Sequence, residues 1–319
     1  MNPYGALLPY AQTAGRWLMP GRHWVGVLWP FVVGDALALW FGARLARDHG
    51  GERAAAWVGA WLLLTPLTWH FLTVRGQDEM LVVGTLVVAI WLLHQERHAW
   101  AGAALALGFA LTKVTYAIPA GAILLTVPLS GGRAVRAWGA FLATVVGVYA
   151  LYAATGADLF VPGDLQDVLN NYGIGLSLSD FAQRYGRGLP VETAAAAYVV
   201  AVTVATLVVA RRARRRPAAE RAILVSVTVQ AVTMIAAPMC VAPYVSQTIA
   251  FALLLLVMLG EASMVRNAAA ALLAVLGLLT PMLWVFPSRV MEPLVMTSLL
   301  THAVLLILVW MRAGANESG

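Results

Sequence analysis

The chain has 319 residues, of which 61% are hydrophobic and only 11% charged, with a mean hydropathy of +0.78. A soluble domain carries about a quarter charged residues, so this composition excludes an ordinary water-soluble globule and requires a bilayer as solvent. The net charge of +6 does not mark a nucleic-acid partner, because the basic residues are strung between apolar runs and form no single stripe. The single cysteine, Cys240, excludes an intrachain disulfide and a cysteine metal cage.

Residues 1–23 lack the basic start and clean apolar stretch of a signal peptide. With Tyr4, Tyr10 and Trp17 they read as a short amphipathic interfacial segment. Apolar runs follow at 24–43, 54–73, 80–93, 99–112, 115–129, 134–154, 193–210, 222–241, 244–260, 267–286 and 293–311, each read as one helix. The expected fold is an all-α, polytopic membrane bundle of about ten or eleven spanning helices, with short interfacial helices on its outer face. It forms one transmembrane domain over 1–319: an interfacial segment 1–23, a core 24–154, an outer loop 155–192 and C-terminal helices 193–319. Since a span needs about 20 apolar residues, the runs at 80–93, 99–112 and 115–129 are expected to be tilted, partly re-entrant or longer than drawn.

Alternate connections divide the 21 basic residues into two sets. The richer set is Arg44, Arg47, Arg53, Arg97, Arg133, Arg136, Arg211, Arg212, Arg214, Arg215, Arg216, Arg221, Arg266 and Arg312. The poorer set is Arg16, Arg22, Arg75, Lys113, Arg184, Arg187 and Arg289. The richer set is expected in the cytoplasm. The run at 211–221 reads first as a stop-transfer flank and second as a lipid or partner site. The opposite, outer face then collects Asp78, Glu79, Asp158, Asp164, Asp167, Asp180, Glu192 and Glu292.

Four features on or near that face could carry chemistry. In VRGQDEMLVV, residues 74–83, Arg75, Gln77, Asp78 and Glu79 stand where a helix begins. Asp78 either caps that helix or belongs to a site in which Gly76 allows close approach and Gln77 offers a donor and an acceptor to a hydroxyl. Lys113, the only lysine, is flanked by Thr112, Thr115 and Tyr116. It either snorkels to the interface or holds a phosphate as a point charge. The segment 155–192 carries Asp164, Tyr172 and Arg184 among apolar residues and is either a solvated loop or a lid for a polar acceptor. Asp35 lies within the first apolar run, where a neutral structural role is favoured over a proton relay. His70, His94, His98 and His302 have no metal-ligand spacing, and no Walker A, HExxH or GxSxG motif occurs.

The order of these features resembles the GT-C-type glycosyltransferases. NPYGALLPY is similar to the YPP-type segment that precedes a span in those proteins. Gly76, Gln77 and Asp78 match a Gly-Gln-Asp helix opening, and AGAALALGFALTK matches a small-residue helix ending in lysine, with Val114 where proline is usual. Over residues 1–130 the chain resembles glycosyltransferase family 87, the mannosyltransferases that use a polyprenyl-phosphate sugar. The resemblance implies transfer of a sugar, expected to be mannose and otherwise a pentose, from a polyprenyl-phosphate donor to a glycolipid or glycan acceptor. The site would lie on the extracytoplasmic face of a multi-pass cell-membrane protein, with membrane lipid as a further partner and no nucleic acid or cofactor. Lys113 and Arg75 would hold the donor phosphate, while Gln77, Asp78, Tyr116, Asp164, Tyr172 and Arg184 would meet sugar or acceptor. Asp78 and Glu79 are weak candidates for the catalytic base, because the usual acidic residue of the family is expected upstream of Met1 in a truncated or mis-started chain. The alternative is a non-catalytic membrane protein, either a lipid-linked sugar transporter or a degenerate accessory subunit.

Overall fold

A computed structural model describes residues 6–19, 21, 23–65, 79–112, 114–127, 132–155, 177, 190–237, 244–260, 264–282 and 286–314. Every regular element among them is helical: α1 (Leu8–Leu18), α2 (His23–Leu64), α3 (Glu79–His94), α4 (His98–Leu111), a 3-10 turn (Val114–Tyr116), α5 (Ala117–Leu124), α6 (Arg133–Ala154), α7 (Val191–Arg212), α8 (Ala218–Ala236), α9 (Tyr244–Met258), α10 (Met264–Met282) and α11 (Pro287–Gly314). Six described helices are long and apolar enough to cross a membrane, and α3, α4 and α9 are shorter apolar helices.

Over their described residues, the expected spans 24–43 and 54–73 are two helical arms of α2 that meet at a kink at Gly51. The stretch between them is polar, which reads as a loop, but its Ala, Leu, Arg and Glu residues favour helix. The chain turns back where Gly51 takes φ 75° and ψ −171°, a backbone region closed to other residues. The arms then lie against each other: a β-carbon built at Gly42 would touch Leu62 at 3.7 Å, and one at Gly59 would touch Leu39 at 3.7 Å. Among its described residues, the expected span 115–129 holds the eight-residue α5 after the 3-10 turn, and α5 alone, about 12 Å long, is too short to cross.

Membrane helices associate without a hydrophobic drive, so close packing and hydrogen bonds hold them together. In the N-terminal half glycines allow backbones to meet. A β-carbon at Gly84 would fall on the carbonyl of Gly34, one at Gly34 on the backbone of Leu81, and one at Gly102 on the carbonyl of Ala137. The C-terminal half uses polar pairs instead. Gln230 donates to Gln247 at 2.9 Å between α8 and α9, and Tyr198 meets Thr233 at 2.9 Å between α7 and α8. His302 on α11 donates from Nδ1 to the Ser298 carbonyl at 2.6 Å, and its Nε2 lies 3.0 Å from the Thr248 hydroxyl on α9. Every residue of α9 from Val245 to Met258 is buried, which makes α9 the centre of the bundle.

The fourteen arginines of the richer set collect at one end of the bundle. Contacts there link the α2 bend to α3 (Asp48–His94, 3.3 Å), the α3–α4 turn to α6 (Glu96–Arg133, 3.6 Å) and α8 to α11 (Glu220–Arg312, 3.4 Å). Arg212 at the end of α7 lies against Gly314 of α11, and Arg266 of α10 donates to the Leu256 carbonyl of α9 at 3.0 Å.

Within 1–23, read as an interfacial segment, the described helix α1 packs against the first arm of α2. Leu8 packs on Phe31, the Ala11 carbonyl accepts from Trp29 Nε1 at 2.6 Å, and Gly15 meets Gly26 backbone to backbone. Rising numbers in α1 meet falling numbers in α2, so α1 runs antiparallel along the first arm. Two glycines at one crossing make this possible, because a side chain at either would overlap the other backbone.

Candidate functional site

The site begins with the α3–α4 hairpin. Its turn, Gln95–Arg97, is closed by Arg97 N–H donating to the Leu92 carbonyl at 2.8 Å and Glu96 N–H donating to that of Leu93 at 3.1 Å. This is a Schellman ending, with Glu96 at φ 55° where glycine is usual. A tight turn forces the two helices to return together, so the start of α3 at Glu79 and the end of α4 at Leu111–Thr112 share the end of the bundle remote from the arginines.

The start of the chain reaches the same place. Leu7 N–H donates to the Ala110 carbonyl at 2.8 Å. Leu8, Phe31 and Leu81 form a small apolar cluster with Leu28 and Leu111 packed on it. Ala6 hydrogen-bonds the hydroxyl of Tyr149 on α6, and Tyr10 meets the Thr155 hydroxyl at 2.9 Å. The segment before α1, the start of α3 and the end of α4 therefore converge.

This convergence is recessed. Gly34 packs on the backbone of Met80 and Leu81, and it lies eleven residues into α2, about 16 Å from the helix start. Glu79, the first described residue of α3, lies level with Gly34 and so well inside the length of α2, where Gly34 and Gly84 let the helices interlock. Glu79, in the first turn of α3, is 1% exposed, and the positive end of the helix dipole favours its carboxylate. Asp35, one residue past Gly34, is half-buried at the same depth and has no hydrogen-bond partner among the described residues.

Tyr116, which the resemblance implies meets sugar or acceptor, follows α4 in the 3-10 turn. It is 2% exposed in the main core cluster, with its hydroxyl against Gly108 and Thr85. Gly108 leaves the space that the ring tip fills, so Tyr116 supports the α3–α4 pair from below. Thr112 is fully buried and donates to the Gly108 carbonyl at 2.7 Å. Arg75, Gln77, Asp78, Lys113, Asp164, Tyr172 and Arg184 lie outside the described residues. Among the described residues no group of three or more His, Cys, Asp and Glu could hold a metal.

The hydropathy pattern gave no sign of an apolar groove of about 410 Å³ between the second arm of α2 and α10. Trp57, Trp61, Leu64 and Thr65 form one wall, and Ala274, Gly277 and Leu278 the other. The one available signal was the i, i+4 spacing of the two tryptophans, which puts both on one helix face. The contacts between the α2 arms put Thr65, at the end of the groove, near the depth of Asp35 and hence of Glu79.

No curated protein matches the chain. The model of glycosyltransferase family 87 matches residues 2–238, which extends the likeness from residues 1–130, α1 to α5, through α6, α7 and α8. With about three quarters of its length matched, and with α3 and α4 bringing the Glu79 and Thr112 ends together, this multi-pass membrane chain belongs to glycosyltransferase family 87.

Proposed function

We propose that the protein transfers mannose from a polyprenyl-phosphate carrier to an extracytoplasmic glycolipid or glycan acceptor, as a GT-C-type enzyme. The observation that carries this reading is the recess itself: an acidic helix start and the end of the small-residue helix meet inside the length of the bundle, level with the end of an apolar groove. A lipid-linked donor needs such a pairing. Its prenyl tail stays in an apolar channel, for which the Trp57 and Trp61 wall is suited, while the phosphosugar head enters a polar pocket. The arginine-rich end supports a cytoplasmic placement for the opposite side and an extracytoplasmic one for the recess.

In this mechanism a carboxylate takes the acceptor proton as the hydroxyl attacks the anomeric carbon. The carrier phosphate leaves from the opposite side of the ring, and a cation stabilises its charge. Lys113 and Arg75 are assigned to the phosphate, and Gln77, Asp78 and Glu79 to the sugar hydroxyls. The assay is transfer of radiolabelled mannose from polyprenyl-phosphate mannose in membranes containing the protein. Lys113→Ala should lower transfer by about a hundredfold or more, the scale of removing one charge-stabilising group, and Glu79→Gln by about tenfold or more, the scale of one hydrogen bond to a charged group. Undiminished transfer by both variants refutes the residue roles, and activity with a nucleotide sugar alone refutes the donor class.

A further inference from the structure

A second cavity, of about 290 Å³, lies at the arginine end, where α3, α4, α6 and α8 meet. It is just below the roughly 300–1,000 Å³ of small-molecule sites, so it has room for one head group. Four arginines line it, Arg133, Arg214, Arg216 and Arg221, against one carboxylate, Glu96, which already faces Arg133 at 3.6 Å.

The walls are built and inward-facing. His98 is 4% exposed, and neither ring nitrogen has a hydrogen-bond partner among the described residues. Arg216 is 6% exposed and gives one nitrogen to Glu220 at 3.1 Å, while its Nε and Nη2 have no partner there. Arg221 gives one nitrogen to the Arg214 carbonyl at 3.0 Å, and its Nε has none. Buried donors left without acceptors are costly, and several of them around one cavity call for a shared acceptor. The nineteen-residue α8 also opens on the cavity through Ala218 and Ala219. Its first N–H groups have no intrahelical acceptor, and its dipole is positive there.

We propose that this cavity is a phosphate-binding site, separate from the recess and independent of the sugar-transfer reading. A phosphate accepts hydrogen bonds from several directions at once and matches the forked donors of arginine. A single carboxylate would leave most of these donors unmet. The group comes either from free phosphate or a soluble phosphate ester, or from the head group of an anionic lipid.

Amide hydrogen exchange on the full wild-type chain in nanodiscs tests this. One arm uses zwitterionic phosphatidylcholine with inorganic phosphate, against chloride at equal ionic strength. The other uses nanodiscs containing phosphatidic acid, without added phosphate. Exchange at Ala218, Ala219 and Glu220 should slow by at least tenfold in one arm or both. Protection in the phosphate arm shows a soluble source, and protection confined to the lipid arm shows a head group. His98→Gln combined with Arg221→Gln should weaken binding by at least tenfold, whereas Arg215→Gln, which removes an exposed charge from the same run, should change it less than twofold. No protection in either arm overturns the proposal, and so does an equal loss from Arg215→Gln. The wild-type measurement decides the matter even if the double variant fails to fold.

Discussion

The two halves of the bundle are held together by different means. From α1 to α6 the helices meet at glycines: Gly15 on Gly26, Gly34 on Gly84, and Gly102 on Ala137. From α7 to α11 they meet through polar side chains, with Gln230 on Gln247 and His302 between Ser298 and Thr248. Backbone contact at a glycine fixes helix depth and separation closely, because no rotamer can absorb an error. A polar pair between membrane helices is worth about 0.6 kcal/mol on average and tolerates adjustment. The half with the narrow tolerance is the half that carries the recess, where the depth of Glu79 depends on where α3 locks into α2.

That contrast can be broken. The largest effect is expected from Gly84→Leu, whose side chain would occupy the Gly34 carbonyl. It should abolish the monodisperse folded peak in size-exclusion chromatography, since overpacking by several carbons exceeds the roughly 1–3 kcal/mol of milder cases. Gln230→Leu should cost about 1–2 kcal/mol by leaving Gln247 unpaired, read as a lower unfolding midpoint in detergent. Adding Gln247→Leu should recover most of that loss. The smallest effect belongs to Glu96→Gly, which relieves the φ 55° strain. It should raise stability by about 0.5–1 kcal/mol, because the exposed Glu96–Arg133 pair that it removes contributes little. If Gly84→Leu folds normally while Gln230→Leu does not, the comparison is reversed.

Much of the fold was legible in the sequence. The runs at 193–210 and 222–241 correspond over their described residues to α7 (Val191–Arg212) and α8 (Ala218–Ala236), because a long apolar run in a bilayer satisfies its backbone within one helix. The Gly51 bend was not legible, since hydropathy registers the polar stretch before it as a loop and is blind to helix propensity. The direction of α1 was hidden for another reason: it depends on Gly15 finding Gly26, a tertiary contact with no local signature. The tight α3–α4 turn puts Glu79 and Thr112 at one end of the bundle, while Asp78 and Lys113 lie outside the described residues. The depth of Glu79 was not visible, nor was the burial of Tyr116, which depends on the space left by Gly108. The arginine run at 211–221 read as a uniform flank, but Arg216 and Arg221 turn inward while Arg215 remains exposed. Side-chain direction at a helix junction is set by the neighbouring helices, not by the run.

The unbroken course of α3 has a mechanical consequence. Its first residue, Glu79, borders the recess, while Leu93 and His94 near its far end line the arginine cavity, about 22 Å away along the axis. A rod without a hinge links the two ends, and the crossing of Gly34 and Gly84 holds it in place between them. An axial load applied at His94 or at Glu79 is met at that same crossing. Any influence of one chamber on the other through this rod would therefore be mutual.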